Sequence, residues 1–201
     1  MDIDINKWPL IFQRDEFSFR VLKQQSTTSQ ITQIKQDYQT VWQQWKACNL
    51  EVASHLDLGK PKIESWTNGW KIRDHFWACY RLKNNNACLA VLVNEKQIQV
   101  YLMFQRYRQE TREGTHEAYV MSLKTKVPNW SHEVNVDDFV VSDNLEVGER
   151  QELSSWLKSP IVPMDQVGKV WTFPLILNFS EFEREWVKTL SELAILYRAI
   201  I

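Results

Sequence analysis

The side chains best suited to chemistry lie between Trp66 and Arg112. The stretch WTNGWKIRDHFW, residues 66–77, holds three tryptophans, a Phe, a His beside an Asp, Lys71, Arg73 and an Asn-Gly pair. Further on, QRYRQETR places Arg106, Arg108 and Arg112 within one short segment, residues 105–112. Indole and phenol rings offer flat apolar contact with one polar edge, and guanidinium forks grip phosphate or carboxylate through paired hydrogen bonds. This set suits capture of a small aromatic or anionic molecule. Asp74-His75 adds a second option, because an imidazole beside a carboxylate can act as a general base.

Those residues need a scaffold, and the sequence supplies strands. Residues 75–82 (HFWACYRL), 87–93 (ACLAVLV) and 97–105 (QIQVYLMFQ) are short and rich in aromatic and aliphatic side chains. Asn84-Asn85-Asn86 separates the first two and Asn94-Glu95-Lys96 the last two. Asn tolerates left-handed backbone, so the spacing predicts an antiparallel meander, with an edge strand around Lys62 to Trp66. Asn68-Gly69 reads as the turn leading into it, with Trp66 and Trp70 packing across that turn.

Alternation gives the sheet two unequal faces. Phe76, Ala78, Tyr80 and Leu82 share one with Ile98, Val100, Leu102 and Phe104, which is core. His75, Trp77, Cys79 and Arg81 share the other with Gln97, Gln99, Tyr101, Met103 and Gln105. Aromatic groups mixed with hydrogen-bonding ends suit a ligand pocket. They also suit a solvated sheet face or a dimer interface. The candidate ligand-binding residues are therefore Trp70, His75, Trp77, Arg81, Gln99 and Tyr101, with Arg106, Arg108 and Arg112 holding a charge. Arg106 and Arg108 share strand parity, and Thr115 then caps a helix whose first amides favour an anion. The opposing reading is a solvated strand exit, its charge offset by Glu110, Glu113 and Glu117.

Helices flank the strands. Ile31, Ile34, Tyr38, Val41, Trp42 and Trp45 recur at threes and fours, an amphipathic stripe, and a shorter helix precedes it near Glu16 to Lys23. Thr115 begins another that runs to Pro128. A strand near Phe139–Val141 and a short helix from Glu149 to Leu157 follow. Lys169–Leu177 looks extended, with Pro174 confining it to an edge or a bulge. Ser180 and Glu183 read as a capping box for a long C-terminal helix with Phe182, Trp186, Leu190, Leu193 and Tyr197 buried. The fold class expected is α+β: N-terminal helices, a central antiparallel meander, helices packed on one face and a long C-terminal helix. Residues 1–201 read as a single domain.

Several functions are disfavoured. Formal net charge is −1, so no global field attracts nucleic acid or an anionic membrane, and neither is expected as a partner. Neither G-x-G-x-x-G, G-x-x-x-x-G-K-[ST] nor G-x-S-x-G occurs, and no cofactor is expected. His55, His75, His116 and His132 lack the spacing that aims two imidazoles at one metal. Cys48, Cys79 and Cys88 include no C-x-x-C pair and read as inert buried thiols in a reducing cytoplasm.

The stretch from Trp66 to Arg112, carrying WTNGWKIRDHFWACYR and ACLAVLVNEKQIQVYLMFQRYR and running on into REGT, resembles a small bacterial family bearing a glucose-6-phosphate 1-dehydrogenase label. The resemblance covers about a quarter of the chain. It implies NADP-linked oxidation of a sugar phosphate. The Gly-rich dinucleotide turn of that chemistry is missing, and Ile72-Arg73-Asp74-His75 only partly echoes its Arg-Ile-Asp-His substrate segment. The residues favour a cytoplasmic, non-catalytic binding or accessory protein for a nucleotide-like or sugar-phosphate ligand. The alternatives are a homodimeric interaction protein, and an enzyme acting on a sugar phosphate.

Overall fold

A computed structural model describes residues 3–82 and 84–201; the side chains of residues 107–109 are outside the described residues. The chain opens with a 3-10 helix, Ile5–Phe12, followed by α1 (Phe19–Gln25) and the long α2 (Thr28–Ser54). Strands β1 (Lys62–Ile63), β2 (Thr67–Asn68), β3 (Lys71–Ile72), β4 (His75–Tyr80), β5 (Ala87–Asn94) and β6 (Gln97–Phe104) come next. A 3-10 turn at Arg106–Thr111 leads into α3 (His116–Trp130). Then follow β7 (Val140–Ser142), β8 (Gln151–Glu152), α4 (Leu153–Trp156), β9 (Gln166–Thr172) and α5 (Phe179–Ile200).

The main sheet has seven strands in the order β1-β4-β5-β6-β9-β7-β8, and every pair is antiparallel. The β4-β5-β6 meander is the one the Asn-rich turns predict. Asn94 Oδ1 accepts from the backbone amides of Lys96 and Gln97, so the side chain itself closes the second hairpin. The expected α+β class is found, with helices stacked on one face. α5 lies on β5, β6 and β9, while α2 packs on β4 and α5, and α3 on α5.

Tryptophan fills that layer. Trp45 of α2 stacks on Trp186 of α5 with centroids 5.5 Å apart, and Trp8 meets Trp45 edge-on at 5.9 Å. One three-ring contact thus ties the first turn, the long N-terminal helix and the last helix together. Phe182, Trp186, Leu190, Leu193 and Tyr197 are all buried, as the stripe predicts.

Several boundaries differ from expectation. α5 is capped by Asn178 and Glu181, not Ser180 and Glu183. The earlier start puts Phe179 in the first turn, 6.4 Å from the Trp8 ring. Pro128 lies inside α3, which continues to Trp130 because Trp130 packs on Phe139 at 4.9 Å. Pro174 falls beyond β9, and β9 is an interior strand between β6 and β7 rather than an edge. Trp66 and Trp70 do not pack across their turn. Trp66 turns in toward Tyr38 and Phe19, whereas Trp70 is 62% exposed with Lys71 over its ring.

Gly168 lets β9 dock. It faces Tyr101 across the ladder, and a Cβ there would stand 2.3 Å from the Val100 carbonyl oxygen and 2.5 Å from Tyr101 Cβ. Gly168→Ala is therefore expected to lower stability by about 1–3 kcal/mol, the usual cost of overpacking an interior that cannot yield. A urea midpoint that falls with an unchanged slope checks this, and an unmoved midpoint contradicts it.

Candidate functional site

The second face of the sheet carries Trp77 and Cys79 from β4, Cys88, Ala90 and Leu92 from β5, Tyr101 from β6 and, from the segment after β7, Leu145. It mixes this apolar cluster with the amides of Gln97 and Gln99 and is closed to water: Trp77 is 7% exposed, Tyr101 5% and Gln99 1%. The segment 142–150 accounts for this. Gln166 Oε1 accepts from Leu145 N at 2.8 Å, and Gln97 Nε2 donates to Leu145 O at 3.2 Å. Arg150 Nη2 donates to Gln97 Oε1 at 2.6 Å. These bonds grip the backbone on both sides of Leu145 and press its side chain onto the face. Ser142 Oγ donates to Glu149 O at 2.6 Å and accepts from Asn144 N at 3.0 Å, closing the loop at its base. Gly148 completes it, since a Cβ there would meet Asp143 Oδ1 at 2.2 Å and Asn144 O at 2.7 Å.

Two adjoining cavities remain where this cover meets the sheet. One, about 360 Å³, runs from Glu64, Arg73, His75 and Trp77 past Tyr101 to Glu146. The other, about 440 Å³, is lined by Phe104, Arg106, His116, Asp143 and Asp165. Met103, Gln105, Asn144 and Gln166 line both, so the two form one cleft. A cleft of this size with convergent amides, carboxylates and cations suits a small polar molecule.

Each end holds a histidine against a carboxylate. His75 Nδ1 lies 2.8 Å from Asp74 Oδ1, and Arg73 pairs with Glu64 at 2.8 Å. Burial alone would lower the His75 pKa, but the hydrogen bond and charge of Asp74, with the charge of Glu146, outweigh it and hold it above the ordinary value. The hydrogen bond from His75 holds the Asp74 carboxyl below its own. At the other end Asp165 Oδ2 accepts from Arg106 Nη2 at 2.6 Å and lies 3.1 Å from His116 Nε2. Tyr119 Oη donates to the Asp165 carbonyl at 3.0 Å, which fixes that residue over the start of α3.

The nine residues singled out from sequence divide accordingly. His75, Trp77 and Tyr101 line one cavity and Arg106 the other. Trp77 and Tyr101 line the cavity but are almost wholly buried. Gln99 lies under the cover with neither amide atom hydrogen-bonded. Arg81 and Arg112 lie beyond the cleft, both donating to Gln105 Oε1. Trp70 sits on the separate β2-β3 hairpin. Arg106 and Arg108 belong to a 3-10 turn, so strand parity does not relate them, and the Arg108 side chain is outside the described residues. The face offered to a second subunit is covered from within the chain by Leu145.

Sequence reading missed Glu64, Arg73, Gln105, Asn144, Asp165 and Gln166. Only Gln105 carried a signal, through its parity with Tyr101. Cys79 also differs from expectation. Burial raises the Cys88 thiol and pushes Cys48 up to about 12, but the hydrogen bond from Cys88, with the charges of Arg81, Lys62 and Arg112, holds Cys79 below the ordinary value. Among the described residues, no group of three or more His, Cys, Asp or Glu side chains is placed to hold a metal, and no helix is long and apolar enough to cross a membrane.

An α+β domain with a helix-covered sheet face and a loop-covered cleft face is thus the class of protein defined. More particularly, a protein-family model matches residues 6–200, and the chain belongs to that family. A relative from Haemophilus influenzae (strain ATCC 51907 / DSM 11121 / KW20 / Rd), described as "Uncharacterized protein", is 37% identical over 94 residues. That match takes in 44% of this chain and 45% of the relative, so the chain spans less than half the length of this curated relative.

The His75–Asp74 pair predicts a pH dependence. A histidine whose folded pKa is raised stabilises the fold fully below its unfolded value of 6.5 and loses that contribution as pH rises through the folded value. Asp74, lowered from 3.8, contributes above that value and loses its contribution as pH falls through the folded one. The stability advantage of the wild type over His75→Gln is therefore largest in the mildly acidic range and shrinks toward alkaline pH. Denaturant midpoints of both proteins across that range check this, and a pH-independent difference contradicts it.

Proposed function

We propose that this chain is a non-catalytic binding protein for a small hydroxyl-bearing anion, with sugar phosphates the class that best suits the cleft. The observation behind this is the shared lining of the two cavities. The oxygens of Gln105, Asn144 and Gln166 accept from the protein, which leaves their amide N–H groups to donate to hydroxyls, and Asp143 and Asp165 supply acceptors. Arg106 is largely exposed, so its guanidinium can swing from Asp165 onto a phosphate while His116 keeps Asp165 company. A nucleotide is the lesser fit, because Trp77 and Tyr101 are almost wholly buried and leave a base little ring surface to stack on.

One observation favours a second reading. The hydrogen-bonded His116–Asp165 pair has the form of an oriented general base, and an enzyme acting on a sugar phosphate would use it to take a proton from a substrate hydroxyl. Incubating the protein with NADP and glucose 6-phosphate distinguishes the two, since only the enzyme produces absorbance from reduced cofactor.

The binding reading predicts that millimolar sugar phosphate raises the unfolding midpoint, with stabilisation reaching about 2.7 kcal/mol at a hundredfold excess over Kd. Arg106→Ala weakens that binding roughly tenfold or more, the value of one charge-assisted contact. A flat thermal response to sugar phosphates removes the proposal, and a response confined to nucleotides transfers the site to that class.

A further inference from the structure

Cys79 and Cys88 stand on adjacent antiparallel strands and on the same face of the sheet. Cys79 is opposite Ala90 and Cys88 opposite Met103, so the two thiols are diagonal neighbours. Both side chains belong to the same buried cluster. The third cysteine, Cys48, is far off in α2, among the helices of the other face.

The charges around the pair are unusual for this protein. Arg73, Arg106 and Lys169 each meet a carboxylate. Arg81 and Arg112 do not; among the described residues neither takes part in an ion pair, and both donate to the neutral Gln105 Oε1. Arg81 also donates from Nε to the Asn85 carbonyl at 3.2 Å and from Nη1 to Cys79 Sγ at 3.1 Å. Two partly buried cations therefore converge on Gln105 Oε1, and one of them, Arg81, also reaches the Cys79 sulfur, a group able to become an anion. A thiolate there gains two counterions, and a neutral thiol leaves both guanidiniums without one.

Access is through the cleft. Met103 and Gln105 line both cavities, Met103 is the register partner of Cys88, and Gln105 is the residue both arginines hold. Both thiols are buried and neither lines the cleft, so peroxide is admitted by movement of side chains such as Met103.

We propose that Cys79 and Cys88 form a peroxide-reactive pair, with Cys79 the attacking thiolate and Cys88 the resolving thiol. Cys79 sulfur attacks one oxygen of hydrogen peroxide. The O–O bond breaks, the departing hydroxide takes a proton to become water, and Cys79 becomes a sulfenic acid. Cys88 sulfur then attacks Cys79 sulfur. The S–S bond forms, the S–O bond breaks, and a second water leaves with the Cys88 proton. The two thiols lose two electrons in total and one peroxide is reduced to two waters. Arg81 is a positioning residue in this scheme: it holds the thiolate and touches no reacting oxygen.

The experiment is peroxide treatment of the intact folded chain, followed by mass spectrometry of alkylated peptides. The expected result is a cross-link between the peptides holding Cys79 and Cys88, reversed by dithiothreitol, with Cys48 still free. In Cys88→Ser, Cys79 stops at a sulfenic acid that a dione probe traps. In Arg81→Met the cross-linking rate falls roughly tenfold or more, as expected when a thiolate loses its counterion. Circular dichroism of each variant shows whether a change in rate comes from unfolding. The wild-type measurement stands without the variants: absence of the cross-link, or oxidation of Cys48 as fast as Cys79, overturns the proposal. Capture of sulfenic acid in the wild type with no cross-link also overturns it, because Cys88 then does not resolve.

Discussion

The constraint on which this structure rests is that β5 and β6 are buried on both faces while only one face is apolar. Leu89, Val91, Val93, Ile98, Val100 and Leu102 face the helices and need nothing but hydrocarbon. The opposite side offers small residues, two thiols, a phenol and the amides of Gln97 and Gln99. Burying amides costs free energy unless their hydrogen bonds are replaced. The segment 142–150 meets that demand in part: Gln97 is satisfied by Leu145 and Arg150, while Leu145 covers the apolar patch beside it. Gln99 is left without a partner. Where the cover ends, the cleft begins.

Charge is handled by the same economy of placement. Lys169 projects from β9 into the helical layer, where Asp138 at 3.1 Å and Glu192 at 3.5 Å compensate it and Phe139 lies beneath its ammonium. Arg73 and Arg106 are matched by Glu64 and Asp165 at the two ends of the cleft. Asp143 and Glu146 also line the cleft, so carboxylates outnumber guanidiniums there, and an anionic group on a ligand depends on Arg106 or Arg73. Arg150 is held by neutral acceptors instead, and at the Arg81–Arg112 corner Arg81 meets a sulfur in place of a carboxylate.

The parts of the fold legible in sequence are those set by local period. The alternation of strand residues sorts Phe76 from Trp77 and Val100 from Tyr101 correctly, because side chains on a strand have no third direction to take. The stripe of α5 is legible for the same reason. The N-cap is not, because Asn178-x-x-Glu181 and Ser180-x-x-Glu183 are equally good boxes locally, and the packing of Phe179 on Trp8 distinguishes them. The place of β9 beside β6 depends on Gly168 under Tyr101, a contact between residues far apart in the chain. The candidate site is harder still. Asn144 is brought to Gln105 by the fold of the 142–150 loop and Asp165-Gln166 by the start of β9, long-range placements that carry no spacing in sequence. Trp70 shows the converse: its neighbours in sequence made it look like part of a site, and the hairpin carries it away.

Hydrogen–deuterium exchange across residues 142–150 and β6 tests the central claim most directly. If Leu145 seals the second face, loop amides held by Gln166 and Ser142 are protected in the wild type, and Leu145→Ser speeds exchange in both the loop and β6 while α5 is unchanged. Exchange of the wild-type loop at the rate of a free segment, or a Leu145→Ser protein whose β6 protection is unaltered, would contradict the account.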